Sequence, residues 1–359
     1  MAQLHEYECP KCGGALEFNS AIQKLKCPYC DSEYEISEFE AVDSALDQTE
    51  NEQDRVDHAD GADSEESASG LVSYVCKSCG GEIVGDSTLA SSACPFCGNP
   101  VVMMGQLSGS LKPDYIIPFK LDKKAAKEAL KKHLEGKKLL PKVFKSENHI
   151  DEIKGLYVPF WFFDTDVYAE IVFKADKTSL REDDENSYRD VAHYSLSRKG
   201  NMSFENVPVD ASQAMDDALM ESIEPYDFAD AKKFSTAYLA GYAADKFDIE
   251  SSSCLPRAKD RISLSVAGAV KNSITGYENV TLENADFEYS DTFAKYALCP
   301  VWLLNTSWNN EKFTFAMNGQ TGRFVGDLPV DKGALKKYFF TVAGISALIV
   351  YLFINFFLG

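Results

Sequence analysis

Eight of the ten cysteines in this 359-residue chain fall into four Cys-x-x-Cys pairs. Cys9/Cys12 and Cys27/Cys30 bracket the spacer GGALEFNSAIQKLK in CPKCGGALEFNSAIQKLKCPYC. Downstream, Cys76/Cys79 and Cys94/Cys97 bracket a spacer of identical length in CKSCGGEIVGDSTLASSACPFC, which marks a duplicated module. One Cys-x-x-Cys turn sets two sulfurs within about 4 Å, and two such turns close a tetrahedron around Zn²⁺ with bonds of roughly 2.3 Å. Four thiolates leave no open position, so each centre is predicted to be structural rather than catalytic. Gly13 and Gly80 directly follow their pairs, where a tight knuckle turns backbone amides toward the sulfurs. Modules this small lack a core, so metal binding supplies much of their folding energy. The reading is therefore two structural Zn²⁺ ions. Cys9, Cys12, Cys27 and Cys30 hold the first, and Cys76, Cys79, Cys94 and Cys97 hold the second. A rubredoxin-like iron centre and thiol redox chemistry are the rival readings of the same ligands. The modules differ at one point: Asp31 follows the last knuckle of the first, where the second has Gly98.

Ribbons of this kind often hold nucleic acid, and charge tests that idea. The formal net charge is −20 and the pI about 4.7. Such a chain repels polyanions at long range unless basic residues cluster locally. The first module sets Lys11, Lys24 and Lys26 against Glu6, Glu8, Glu17, Asp31, Glu33 and Glu35; the second offers Lys77 against Glu82 and Asp86. Neither interleaves basic residues with exposed aromatics as a stacking platform requires. Protein contact is the favoured use. The N-terminal MAQLHEYECP has no apolar stretch of the signal-peptide kind. A reducing compartment then keeps the thiols free for metal.

Other chemistry is sparsely signalled. The chain has no GxxxxGK[ST] phosphate loop, no HExxH and no GxSxG. His5, His58, His133, His149 and His193 are scattered, while Cys254 and Cys299 sit in apolar surroundings suited to buried thiols. No catalytic residue is assigned, and a non-enzymatic protein is expected.

The elements that must position the cysteines give a multidomain reading. Two small all-β zinc ribbons, at 1–37 and 71–105, are joined by an acidic linker at 38–70. That linker is too poor in large apolar residues to offset its ordering entropy, so the ribbons are expected to ride on a flexible tether. Residues 106–331 are expected to form an α+β domain with mainly antiparallel sheet. Its first helix starts at the cap Asp122, buries Ala126, Leu130 and Leu134, and stops at Gly136. The run LYVPFWFFDTDVYAEIVFKA predicts a long strand, and Tyr188 to Val209 more sheet. Residues 211–270 read as mostly helical. Pro159-Phe160-Trp161-Phe162-Phe163-Asp164-Thr165 is echoed later in the chain by Pro300-Val301-Trp302-Leu303-Leu304-Asn305-Thr306, which suggests two related β-rich halves.

Residues 338–358, YFFTVAGISALIVYLFINFFL, hold no charge. As a helix they span roughly 30 Å, the hydrocarbon thickness of a bilayer. Lys332, Lys336 and Lys337 precede them, so the positive-inside rule keeps the N-terminal bulk in the cytoplasm. The expectation is a single-pass tail anchor in the cell membrane. The one basic region, 120–145, holds ten lysines and three acids. A solvated helix face is its simplest use, and contact with anionic headgroups is the functional one.

The paired ribbons, the stretch from IIPFKLDKKAAKEALKKHL to GLYVPFWFFD and the apolar terminus together resemble bacterial TFIIB-type zinc-ribbon-containing membrane proteins. The resemblance covers nearly the whole chain. It implies a tail-anchored adaptor that helps hold phage-shock-type or flotillin-like membrane-stress proteins at the bilayer. Such proteins also carry the labels replisome organiser and replication-restart helicase. The alternative it implies is a membrane-tethered nucleic-acid-binding protein of replication or transcription. In both, the eight cysteines are the carried-over ligands; cytoplasmic or membrane proteins are the partners of the adaptor, and nucleic acid that of the alternative.

Overall fold

Residues 4–39, 71–75, 82–86, 88–94, 99–103, 111–141, 144, 152–184, 186–308 and 311–357 are described in the computed structural model of the protein. The first module contains β1 (Leu4–His5), β2 (Glu17–Asn19), β3 (Lys24–Lys26) and β4 (Glu33–Tyr34). The second contains β5 (Leu71–Val75), β6 (Glu82–Asp86), β7 (Leu89–Ala93) and β8 (Pro100–Met103). The remainder runs β9 (Tyr115–Ile116), α1 (Lys123–Leu134), β10 (Lys154–Glu182), β11 (Ser187–Asp210), α2 (Asp217–Ile223), β12 (Lys232–Lys233), β13 (Ala243–Asp245), α3 (Ser251–Ser273), β14 (Glu278–Trp308), β15 (Glu311–Asn318), β16 (Phe324–Gly326) and α4 (Lys332–Phe357). Eleven of these strands form one mixed sheet, ordered β1-β8-β7-β13-β10-β14-β15-β16 along its main path. Its pairing is antiparallel except where β13 meets β10 and β9 meets β14.

Two expectations need refinement. Helix in residues 211–270 is interrupted: α2 and the part of α3 in that span are separated by short 3₁₀ turns at Phe228–Asp230 and Thr236–Leu239 and by β12 and β13. Between them, side chains repeatedly cap short turns instead of letting a helix propagate. Asp227 Oδ1 accepts from the Ala229 amide and Ser235 Oγ from the Ala237 amide. The two cysteine modules also do not stand apart from the α+β domain. β1 pairs with β8, and β7 pairs with β13, so strands of both cysteine modules extend the central sheet. Within the expected linker, residues 40–70 lie outside the described set.

The echo between Pro159–Thr165 and Pro300–Thr306 has a geometric counterpart. β10 and β14 are direct antiparallel neighbours, and Val158 is paired with Cys299, its own counterpart in the echo. A local two-fold relation therefore runs through that pair. On the outer edge of β10, Leu156 and Tyr157 meet β13 in parallel, and Phe160 begins the pairing with β11 at Asp210. On the outer edge of β14, Ala297 and Leu298 meet β9 in parallel, and Val301 begins the pairing with β15 at Asn318. Each of these β14 residues stands at the same offset from its β10 counterpart as Trp302 does from Trp161.

Hydrogen bonds repeat the relation atom by atom. Ala211 N donates to Pro159 O, Ile249 N to Ala211 O, and Trp161 Nε1 to Ile249 O, at 2.9, 3.2 and 2.9 Å. In the other half Gly319 N donates to Pro300 O, Leu121 N to Gly319 O, and Trp302 Nε1 to Leu121 O, at 2.8, 3.0 and 3.0 Å. Each indole thus closes a circuit begun by the proline two residues before it. Phe247 packs on Trp161 and Phe119 on Trp302, both with ring centroids 5.1 Å apart. Asp122 and Glu250 then precede α1 and α3 at matching positions, although only Asp122 makes a side-chain cap. The halves are crossed: β9 and Leu121 serve the tryptophan of the later half, while β13 and Ile249 serve that of the earlier one.

Beyond this junction β10, β11 and β14 continue as a blade, three-stranded as far as Asp176 and two-stranded from there to Glu182. From Asp166 to Glu182 it reaches about 55 Å at the usual strand rise. One face of the blade buries Val167, Ala169, Ile171 and Phe173 against Ile262 and Val266 of α3, while the other is polar. At the root of α3, Arg257 meets Asp210, Asp217 and Glu221 at 3.4, 2.5 and 2.7 Å, and Arg261 pairs with Glu224. These pairs tie α3 to α2 and β11. Burial, reinforced by the nearby Asp217 charge, pushes the Asp210 carboxyl up to about 7 despite the Arg257 guanidinium.

Trp302→Phe keeps a ring but leaves Leu121 O without its donor, so chemical unfolding should show a loss of about 1–3 kcal/mol. Trp161→Phe should cost a similar amount; negligible costs at both would show that the circuits do not hold the halves together. Asp210 stays protonated when folded after it ionises in the unfolded chain. Its contribution to stability should therefore fall as pH rises from about 4 to 7, by at most about 1.4 kcal/mol per pH unit. Asp210→Asn should flatten that slope in a pH series of melts.

Candidate metal centre

The first module brings its four cysteines together. The Sγ atoms of Cys9, Cys12, Cys27 and Cys30 all lie within 4.8 Å of one another. Cys9 and Cys30 are 3.6 Å apart and Cys12 and Cys27 are 3.5 Å apart. Disulfide sulfurs would sit at about 2.05 Å. A thiolate tetrahedron with bonds of about 2.3 Å has edges of about 3.8 Å, so the spacing fits a metal ion and not a crosslink. The cluster could hold one metal ion through four sulfurs.

Two equivalent knuckles set this geometry. Cys9 N donates to Gly14 O and Gly13 N to Cys9 O, at 2.7 and 2.8 Å. Cys27 N donates to Ser32 O and Asp31 N to Cys27 O, at 2.9 and 3.0 Å. Both turns end in the left-handed region, at Gly13 (φ +73°) and Asp31 (φ +55°). Gly13 suits that region; Asp31 tolerates it and forms a 3.0 Å ion pair with Lys26. Between the knuckles, Asn19 Oδ1 accepts from the Ala21 and Ile22 amides and turns β2 into β3.

The thiols are electrostatically unequal. Burial opposes ionisation of Cys9, but hydrogen bonds from the Tyr34 hydroxyl and nearby backbone amides outweigh it and lower the thiol to about 6. Cys30 is also lowered, first by the Ser32 hydroxyl. Cys12 moves the other way, to about 12: the Gly14 backbone favours its thiolate, but the sulfurs of Cys27 and Cys30 outweigh that effect. Four sulfurs at this spacing resist ionising together, and a bound cation removes that conflict.

In the second module Cys94 is buried, and its amide donates to Asn99 O at 2.8 Å, the same five-residue closure seen at Cys9 and Cys27. Cys76, Cys79 and Cys97 lie outside the described residues. Cys254 and Cys299 are buried, and burial raises both thiols, Cys254 to about 11. His193 is exposed, with Nδ1 2.6 Å from Asp176 Oδ1. His133 is half-buried beside Phe324, and burial lowers its pKa. His5 lies in β1; His58 and His149 are outside the described residues.

The surface that receives the first module was not foreseen. Tyr7, Leu16 and Phe18 share a buried cluster with Ala237 and Ala240. Phe18 N donates to Ala240 O at 2.9 Å, and its ring lies 5.2 Å from that of Tyr238. The Tyr7 hydroxyl bonds Thr236, and Gln23 Nε2 donates to Phe119 O at 2.8 Å. The segment STAYLAGY has no motif, and only its Ala and Tyr content hints at a packing surface.

Cys27→Ser should lower the metal content of the purified protein by one equivalent and expose residues 4–39 to limited proteolysis. Unchanged metal content by elemental analysis would remove the cluster as a metal site.

No protein-family model matches the chain, and no solved structure matches it. Among curated proteins, "Uncharacterized protein YdjG" of Bacillus subtilis (strain 168) is 31% identical over 325 residues, covering 76% of this chain and 95% of that protein. At that identity and coverage, the chain belongs to the family of B. subtilis YdjG.

Proposed function

We propose that the protein is a non-enzymatic, membrane-anchored adaptor in which two structural zinc ribbons shape a surface that recruits cytoplasmic proteins to the bilayer. The observation that carries this reading is the pairing of a Cys₄ cluster, fixed on the body of the protein, with an apolar helix outside that body. α4 has a mean hydropathy of 2.1 over its most apolar window and none of that window is buried within the protein. It is long and apolar enough to cross a membrane. Leaving Phe339, Phe340, Ile349, Phe353 and Phe356 in water would expose a large apolar surface, which insertion removes.

The charge pattern favours a protein partner over nucleic acid. Lys24 pairs with Glu35 at 2.6 Å and Lys26 with Asp31 at 3.0 Å, so two of the three lysines expected near the first centre are engaged by its own acids. A Cys₄ centre holding a divalent ion adds two formal negative charges. Zinc is favoured over iron because a closed tetrahedral thiolate site with a structural role needs no redox partner. The resemblance to TFIIB-type zinc-ribbon membrane proteins supplies the partner class, membrane-stress proteins of the phage-shock or flotillin-like kind.

Crosslinking and pulldown of the full chain from membranes should recover a defined partner set. The double variant Cys12→Ser/Cys27→Ser should lose it while remaining membrane-bound. An unchanged partner set would overturn the adaptor reading. Salt-sensitive binding of the full chain to DNA or RNA in a gel shift would favour the membrane-tethered nucleic-acid reading instead.

A further inference from the structure

The lysine-rich segment and the apolar helix meet in space. α1 ends at Leu134, and Gly136 (φ +69°) turns the chain so that Lys137 and Lys138 project while Leu140 returns to the core. Asp331 N donates to Leu139 O at 2.8 Å, which fastens this turn to the start of α4. The Asp331 carboxylate is occupied in capping that helix, accepting from Gly333 N at 2.8 Å and Ala334 N at 3.1 Å. Between the two segments lies a cavity of about 400 Å³, lined by Gly136–Leu140, Leu328–Val330 and Tyr338. That volume is in the range of small-molecule sites. Its floor is apolar, with Leu140 and Pro329 buried, and its mouth is basic. Lys138 Nζ stands 5.9 Å from the centroid of the Tyr338 ring. Lys137 and Lys138 are exposed and form no salt bridge among the described residues.

Tyr338 is the first residue of the uncharged stretch, and tyrosine at such a boundary sits at headgroup level. The cavity therefore opens where lipid phosphates and the first acyl carbons lie. We propose that it binds one anionic phospholipid, with the phosphate between Lys137 and Lys138 and the acyl chains following α4 into the bilayer. This rests on the membrane-anchored reading above. It differs from a diffuse attraction between lysines and a charged surface, because it assigns the lipid to one cavity with an apolar wall. The exposed lysines at the far end of α1, Lys123 and Lys124, lie about 16 Å away along the helix and provide a charge-matched control.

The full chain would be inserted into vesicles of mixed phosphatidylglycerol and phosphatidylcholine, checked by alkaline extraction, then released in mild detergent for native mass spectrometry. The wild type should retain one phosphatidylglycerol per chain, in preference to phosphatidylcholine by on the order of tenfold. Lys137→Ala/Lys138→Ala should lose that preference, while Lys123→Ala/Lys124→Ala should keep it. Retention without headgroup preference, or equal losses in the two double variants, would overturn the cavity as the site while leaving the anchor intact. Failure of the wild type to resist alkaline extraction would overturn the anchor, and the lipid site with it.

Discussion

Each half of the central sheet is closed by a tryptophan whose indole must find a carbonyl inside the protein. A buried N–H left unpaired costs about as much as a hydrogen bond is worth, so its partner cannot be optional. Trp161 and Trp302 satisfy that need with Ile249 and Leu121, residues from the opposite half. Much of the architecture follows. β9 and β13 lie parallel to β14 and β10 because they lead directly into the accepting residues. α1 and α3 start where they do because the chain must leave those acceptors at once. The long strands β10 and β14 pair with each other because their outer edges are already taken near the junction.

The cysteine cluster depends on this body more than its size suggests. A module of this kind without a core relies on metal, yet here it also buries Tyr7, Leu16 and Phe18 against Ala237 and Ala240. A metal ion held by the four cysteines would act on the same small sheet as this packing, so each would stiffen what the other needs. The distribution of acids adds to this. Glu35 and Asp31 neutralise Lys24 and Lys26 locally and hold the hairpin against the second knuckle.

Legibility in the sequence followed the range of the interaction. The helix at 123–134 could be read because its cap, apolar spacing and terminating glycine are all local, and each has its predicted place. The grouping of the first module's four cysteines could be read because metal chemistry restricts residue type and spacing together. The Pro-x-Trp echo was visible, but its reciprocal segments were not: Phe119-Lys120-Leu121-Asp122 and Phe247-Asp248-Ile249-Glu250 share only one aromatic, one aliphatic and one acid. The stretch from 224 to 250 was misread because its alanines and acids are acceptable helix formers, while its short turns are set by individual side-chain caps. The docking of residues 4–39 depends on shape between segments far apart in the chain, for which no local pattern exists.

The crossing of the halves also has a temporal side. Trp302 bonds a residue 181 positions earlier, and Trp161 one 88 positions later. Neither circuit can close within its own half, so the edge of β9 that meets β14 stays unpaired and Trp161 unsatisfied until the later half is made. Contacts of such long sequence separation form slowly and late. The two tryptophan circuits therefore complete only together with the opposite half, so neither half of the junction is finished while the other is still loose.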